Sequence, residues 1–117
     1  MTLKEERIQF TKNLGRLITY VNFNLNTYGY EIAIDYCKRL QSEQDILIAN
    51  KLSKNKNSKH LIGLAADVIL YRDGKYITDS GDYKILGDYW KEIDKNNVWG
   101  GDWEQFPDGN HFQYGNS

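Results

Sequence analysis

The chain has two histidines, His60 and His111, and they limit the chemistry it can do. Neither lies on an apolar helix face, where a histidine of the core would be expected. A hydrolytic zinc site needs two or three imidazole ligands, often a carboxylate, and an open position for water. A further carboxylate near that water serves as general base. His60, Asp67 and His111 are therefore candidate metal ligands, and Asp108 is a candidate base.

The spacing of these residues does not by itself select a metal site. A His and an Asp seven residues apart also occur by chance, and the His-Glu-x-x-His signature of many metalloproteases is absent. Two further acids compete with Asp108 for the role of base. We expect Asp102 to cap or bend a glycine turn and Glu104 to be solvated. From the residues alone, both the metal site and the choice of base stay open.

Helical and extended patterns alternate along the chain and would position these side chains. Thr2 and Glu5 form a capping box, which predicts that a helix begins near residue 3. Asp73-Gly74 separates two strand-like runs, as in a tight hairpin. Hydrophobic periodicity predicts helices over 3–26, 42–50 and 82–97, strands over 30–34 and 65–71, and a returning strand over 76–78. The predicted class is α+β, a small antiparallel sheet with about three helices.

Composition narrows the classes of protein that this chain can represent. Its 117 residues predict a single domain over 1–117, and a net charge of −1 argues against nucleic-acid binding. The single cysteine, Cys37, excludes an intramolecular disulfide. No apolar run approaches the roughly 20 residues of a membrane span, and the N-terminus lacks the apolar core of a signal peptide. We therefore expect synthesis in the cytoplasm and no membrane insertion.

The sequence contains two motifs whose residues occur in one known family of enzymes. They are Ser58-x-His60-x-x-Gly63-x-Ala65-x-Asp67 and Trp99-Gly100-Gly101-Asp102-Trp103-x-x-Phe106-x-Asp108-x-x-His111-Phe112. The first resembles that of the zinc D-Ala-D-Ala peptidases of the VanY and VanX type, and also that of the related phage L-alanyl-D-glutamate endopeptidases, which are endolysins. The second is similar to the endolysin branch, in which a Trp-Gly-Gly run precedes an Asp-x-x-His-Phe ending. The resemblance covers roughly residues 30–114.

This resemblance implies a Hedgehog/DD-peptidase-like fold and a role for each matching residue. His60, Asp67 and His111 would bind Zn²⁺, and Asp108 would be the catalytic base. Arg39 fits the upstream arginine of the family, which would hold the oxyanion, although Lys38-Arg39-Leu40-Gln41 lacks the usual Tyr-Arg-Ser/Thr setting. Ser58 would contact the substrate backbone, or make a loop hydrogen bond instead.

The same resemblance implies a zinc endopeptidase that cuts the L-Ala–D-Glu bond of the peptidoglycan stem peptide. As a monomeric phage lysin it would be made in the host cytoplasm and would reach the cell wall after holin-type release. Two alternatives remain, a D-Ala-D-Ala carboxypeptidase and a metal-free binding module with the same fold. Trp99 and Trp103 could line a substrate groove or pack in the core.

Overall fold

The computed structural model describes residues 1–36 and 59–115. The helix predicted over 42–50 lies outside these residues, as do Cys37, Arg39 and Ser58. The confirmed class is α+β, and the described part of the chain contains two α-helices and one antiparallel sheet.

Helix α1 spans Leu3–Tyr20 and begins at the predicted cap, where the Glu5 backbone N–H donates to Thr2 Oγ1 over 3.1 Å. The predicted end at residue 26 is wrong for an α-helix. The chain continues as a π-helical turn, Val21–Leu25, and a 3₁₀ turn, Asn26–Tyr28. The periodicity was misleading here because Val21 and Leu25 stay buried although the hydrogen-bond pattern changes.

The sheet has the strand order β1-β2-β5-β4, with β3 pairing beside β2. Every pair is antiparallel. The predicted hairpin is present, because Asp73 and Gly74 have φ angles of 52° and 79° and connect β2 to β3 as a two-residue loop. The strands are β1 (Tyr30–Tyr36), β2 (Ala65–Arg72), β3 (Lys75–Tyr76), β4 (Asn97–Trp99) and β5 (His111–Tyr114).

Helix α2 spans Lys84–Ile93 and is shorter than the predicted helix over 82–97. A 3₁₀ turn, Ser80–Tyr83, precedes it. At the other end Asp94 is extended, and its side chain accepts a hydrogen bond from the Asn96 backbone N–H. Such a local side-chain bond competes with helix continuation. The chain therefore turns and enters β4, a strand that the sequence did not predict. None of the helices among the described residues is long and apolar enough to cross a membrane.

The two faces of the sheet differ in what they carry. On one face Val68 and Phe112 pack against the helices, and Trp90 of α2 lies edge-on to Phe112 with ring centroids 5.8 Å apart. Since side chains alternate along a strand, Asp67 and His111 project to the other face. The core therefore fixes the two strands that carry the polar side chains.

Candidate metal centre

Three side chains converge where β2 and β5 pair. Asp67 and His111 are direct partners in the register of these strands. His60 lies in the 3₁₀ turn Lys59–Ile62, and Gly63, with φ of 73°, redirects the chain into β2. Because glycine adopts this positive φ without steric cost, the 3₁₀ turn can end at Ile62 and the chain can enter β2 at Ala65. One ligand atom from each of His60, Asp67 and His111 lies within 4.8 Å of the others.

The carboxylate of Asp67 lies between the two imidazoles. Its Oδ1 is 3.3 Å from His60 Nε2 and 3.1 Å from His111 Nδ1. Both histidines are buried, whereas the Asp67 side chain retains 15% of its exposure. The three donor atoms therefore face one another at a site that solvent reaches from the Asp67 side.

The electrostatics of the site favour a charged carboxylate. Burial alone would raise the pKa of Asp67, but hydrogen bonds and the charges of both histidines outweigh it and hold the pKa far below the usual 3.8. Burial alone would lower the pKa of His111. The hydrogen bond and charge of Asp67 reverse that effect and raise it above the usual 6.5.

The donor set fits a zinc ion. Zinc in hydrolytic sites takes imidazole nitrogens and carboxylate oxygens and leaves a position for water. Here two imidazole nitrogens and one carboxylate oxygen face a common point, and the carboxylate is ionised. Among the described residues this is the one group of histidine, cysteine or acidic side chains close enough to share an ion.

Asp108 lies in the loop that leads into β5, beside the three-residue cluster. Its backbone carbonyl accepts from the His111 N–H over 3.1 Å, and its charge contributes to the raised pKa of His111. The side chain is half-buried and lines a cavity with Tyr76 and Asn110. Asp108 is not part of the cluster whose atoms lie within 4.8 Å. Its charge therefore acts on His111, but its carboxylate is not among the candidate ligands.

The two competing acids have different surroundings. Asp102 forms an ion pair with Lys91, with Nζ and Oδ2 2.8 Å apart. Glu104 is exposed, as expected from the sequence. Asp102 is therefore engaged by a lysine and Glu104 is exposed, while the assignment of Asp108 as the base stays a prediction.

The loop that carries Asp108 is anchored on both sides of that residue. Trp99 Nε1 donates to the Gly109 carbonyl over 2.7 Å, and the Gly109 N–H donates to Ser80 Oγ over 3.1 Å. The Ser80 hydroxyl also donates to the Pro107 carbonyl over 3.4 Å. Sequence spacing does not indicate this contact, because Ser80 lies 29 residues from Gly109.

The sequence does not decide whether Trp99 and Trp103 line a substrate groove or pack in the core, and the structure places the two differently. Trp99 is 4% exposed and belongs to the core. Trp103 is 37% exposed, and its ring centroid lies 4.9 Å from that of His111 at an interplanar angle of 44°. Trp103 therefore forms a partly exposed aromatic wall of the candidate site.

Sequence reasoning missed Gln113, which contacts His111 directly. Gln113 Oε1 lies 2.8 Å from His111 Nε2, and both side chains are buried. A signal was available, because residues two apart on a strand share one face of the sheet. Arg39 and Ser58, the other predicted site residues, lie outside the described residues.

The match to known families bears on the activity of this site. A family profile described as D-alanyl-D-alanine carboxypeptidase, of peptidase family M15, matches residues 51–114. This is more than half of the chain. The chain belongs to this family. The matched residues include all three members of the cluster, His60, Asp67 and His111.

The fold is also found among solved structures. The crystal structure of the Serratia marcescens L-Ala D-Glu endopeptidase ChiX matches with a TM-score of 0.67 and 22% sequence identity. The match covers 86% of this chain and 78% of that chain. No curated protein sequence matches this member of the M15 family.

Proposed function

We propose that this chain is a zinc-dependent endopeptidase that cuts the L-Ala–D-Glu bond of the peptidoglycan stem peptide. One observation carries the proposal. His60, Asp67 and His111 lie together in the structure, and all three fall within the residues that match a peptidase family. The fold shared with an L-Ala D-Glu endopeptidase supports the choice of bond. The Trp99-Gly100-Gly101 run of the second motif, which is similar to the endolysin branch, also supports this choice of bond.

In the proposed mechanism the chain supplies the ligands and the proton carrier. A zinc ion held by His60, Asp67 and His111 would polarise the scissile carbonyl and lower the pKa of a bound water. The Asp108 carboxylate accepts a proton from the attacking water and delivers it to the nitrogen of the leaving amine. Arg39 is proposed to hold the negative charge that develops on the carbonyl oxygen. Ser58 is proposed to bind the substrate backbone.

A D-Ala-D-Ala carboxypeptidase is the second candidate, because the matching family profile carries that description. The two reactions leave different products. Purified protein should be incubated with zinc and defined stem peptides, and the products identified by mass spectrometry. Cleavage between L-Ala and D-Glu supports the endopeptidase, whereas release of free D-alanine alone overturns it in favour of the carboxypeptidase.

A metal-free binding module with the same fold is distinguished by its metal content. We expect about one zinc per chain in protein purified without chelator, because the three donors are already close together. A stoichiometry near zero after supplementation with zinc, together with no cleavage of any stem peptide, would overturn the enzyme assignment.

The biological setting that we propose is that of a phage lysin. It rests on the second motif, which is similar to that of the endolysins. The protein would act as a single-domain monomer on the cell wall after holin-type release. Loss of turbidity in outer-membrane-permeabilised cells on addition of the protein would support a lytic role, and intact cells after full digestion of isolated stem peptides would contradict it.

A further inference from the structure

We propose that Gln113 is a positioning residue that holds the Nε2–H of His111 and so reserves His111 Nδ1 for the metal. This inference rests on the proposed zinc-dependent function. It assigns a role to a residue outside the ligand set and the general base.

The hydrogen bonds around Gln113 determine which way its amide points. The Gln113 side-chain NH₂ donates to the Gly115 carbonyl over 2.7 Å. A carbonyl only accepts, so the nitrogen must lie on that side and Oε1 must face His111. The distance from Gln113 Oε1 to His111 Nε2 is 2.8 Å. Since Oε1 also only accepts, the proton of this hydrogen bond belongs to His111 Nε2.

A proton held on Nε2 leaves Nδ1 as the nitrogen that can coordinate a metal. A neutral imidazole has one protonated and one unprotonated nitrogen, and only the unprotonated one can bind a cation. His111 Nδ1 is the nitrogen that faces Asp67 Oδ1, 3.1 Å away. The chain from the Gly115 carbonyl through Gln113 to His111 therefore points the free lone pair toward the candidate metal centre.

Burial and strand pairing hold Gln113 in place beside His111. Gln113 is 4% exposed and pairs with Ala65 across β2 and β5, one position along the same face from the Asp67–His111 pair. Its backbone carbonyl is held separately by Trp90 Nε1 over 3.2 Å. A side-chain substitution can therefore remove the contact to His111 while this core hydrogen bond remains.

Zinc affinity and the state of His111 Nε2 test the inference. Replacing Gln113 by Leu keeps a buried side chain of similar size but removes the acceptor. We expect zinc affinity, measured by competition with a chelator, to fall about 10–100-fold, the usual effect of losing such a partner. Gln113→Glu retains an acceptor oxygen and should bind zinc more tightly than the Leu variant.

A matched control separates positioning from general destabilisation. Asn97 is another buried amide, which donates to the Trp90 carbonyl over 2.8 Å and accepts from Asn13 Nδ2 over 3.0 Å. Asn97→Leu should lower the free energy of unfolding and leave zinc affinity within about twofold. An equal loss of zinc affinity in Asn97→Leu and Gln113→Leu would overturn the inference.

Nitrogen-15 NMR reads the imidazole directly, and the chain has only two histidines to assign. We expect zinc-loaded protein to show His111 bound through Nδ1 with an exchange-protected Nε2–H, and the Gln113→Leu variant to lose that protection. Zinc bound through Nε2, or an unprotected Nε2–H in the wild-type protein with or without zinc, would overturn the inference. Wild-type protein that shows the protected Nε2–H but binds no zinc would instead overturn the proposed function.

Discussion

The packing of Gly109 against Ser80 predicts that one added methyl group can displace the loop that carries Asp108. A Cβ added to Gly109 would lie 2.3 Å from the Ser80 carbonyl oxygen and 2.6 Å from Ser80 Cα. Ordinary contacts begin at 3.4 Å, so the two segments must separate by about 1 Å. The obstacle is backbone, which cannot rotate away as a side chain would.

The expected consequences of Gly109→Ala follow from this displacement. Overpacking of this kind costs about 1–3 kcal/mol of stability. The bond from Gly109 N–H to Ser80 Oγ would lengthen, and Asp108 would move with its neighbour. Because a shift of about 1 Å at a reacting group can cost about 10²-fold in rate, we expect a loss of that order on stem peptide. His111 is held in β5, so zinc content should persist.

Three measurements on the same preparation check this prediction: product formation, zinc stoichiometry and urea unfolding. Gly15→Ala is the control, since nothing lies within 4 Å of an added Cβ in α1. It should raise stability by about 0.5–1 kcal/mol and leave activity unchanged. A folded Gly109→Ala protein with activity within about twofold of wild type would refute the idea that Ser80 fixes the position of Asp108.

Other substitutions and conditions test the site itself. His60→Ala and His111→Ala should each abolish zinc binding and activity together, because two remaining ligands hold zinc poorly; stoichiometric zinc with full activity in either variant would reject the site. Asp108→Asn should keep zinc and lose about 10²–10⁴-fold in activity, whereas Glu104→Gln should resemble wild type; the reverse pattern would show that the wrong carboxylate was chosen. In metal-free protein, the lowered pKa of Asp67 adds stability above pH 3.8 that is lost as the pH falls, and the raised pKa of His111 adds stability below pH 6.5 that is lost as the pH rises. The melting temperature should therefore exceed that of Asp67→Asn most between these two values, and a constant difference from pH 4 to 9 would contradict the assignment.

The sequence determined those features that depend on neighbouring residues. The cap at Thr2 and the Asp73-Gly74 turn are set by contacts within a few positions, and both are present where they were predicted. His60 and Asp67 could be chosen as a candidate pair because a turn before a strand brings them together. Helix ends were less predictable, since the apolar stripe that buries Val21 and Leu25 continues past the end of the α-helical hydrogen bonds.

Only the tertiary structure decided how distant segments position the site. Asp67 meets His111 because β2 pairs with β5 in one register, and a shift by one residue would send these side chains to opposite faces. The same pairing buries Gln113 against His111, and the loop of Asp108 depends on Ser80, which precedes it by 28 positions. Residue types and spacing restrict such contacts but do not select them. Their selection depends on strand register and core packing, which form only when the whole chain is folded.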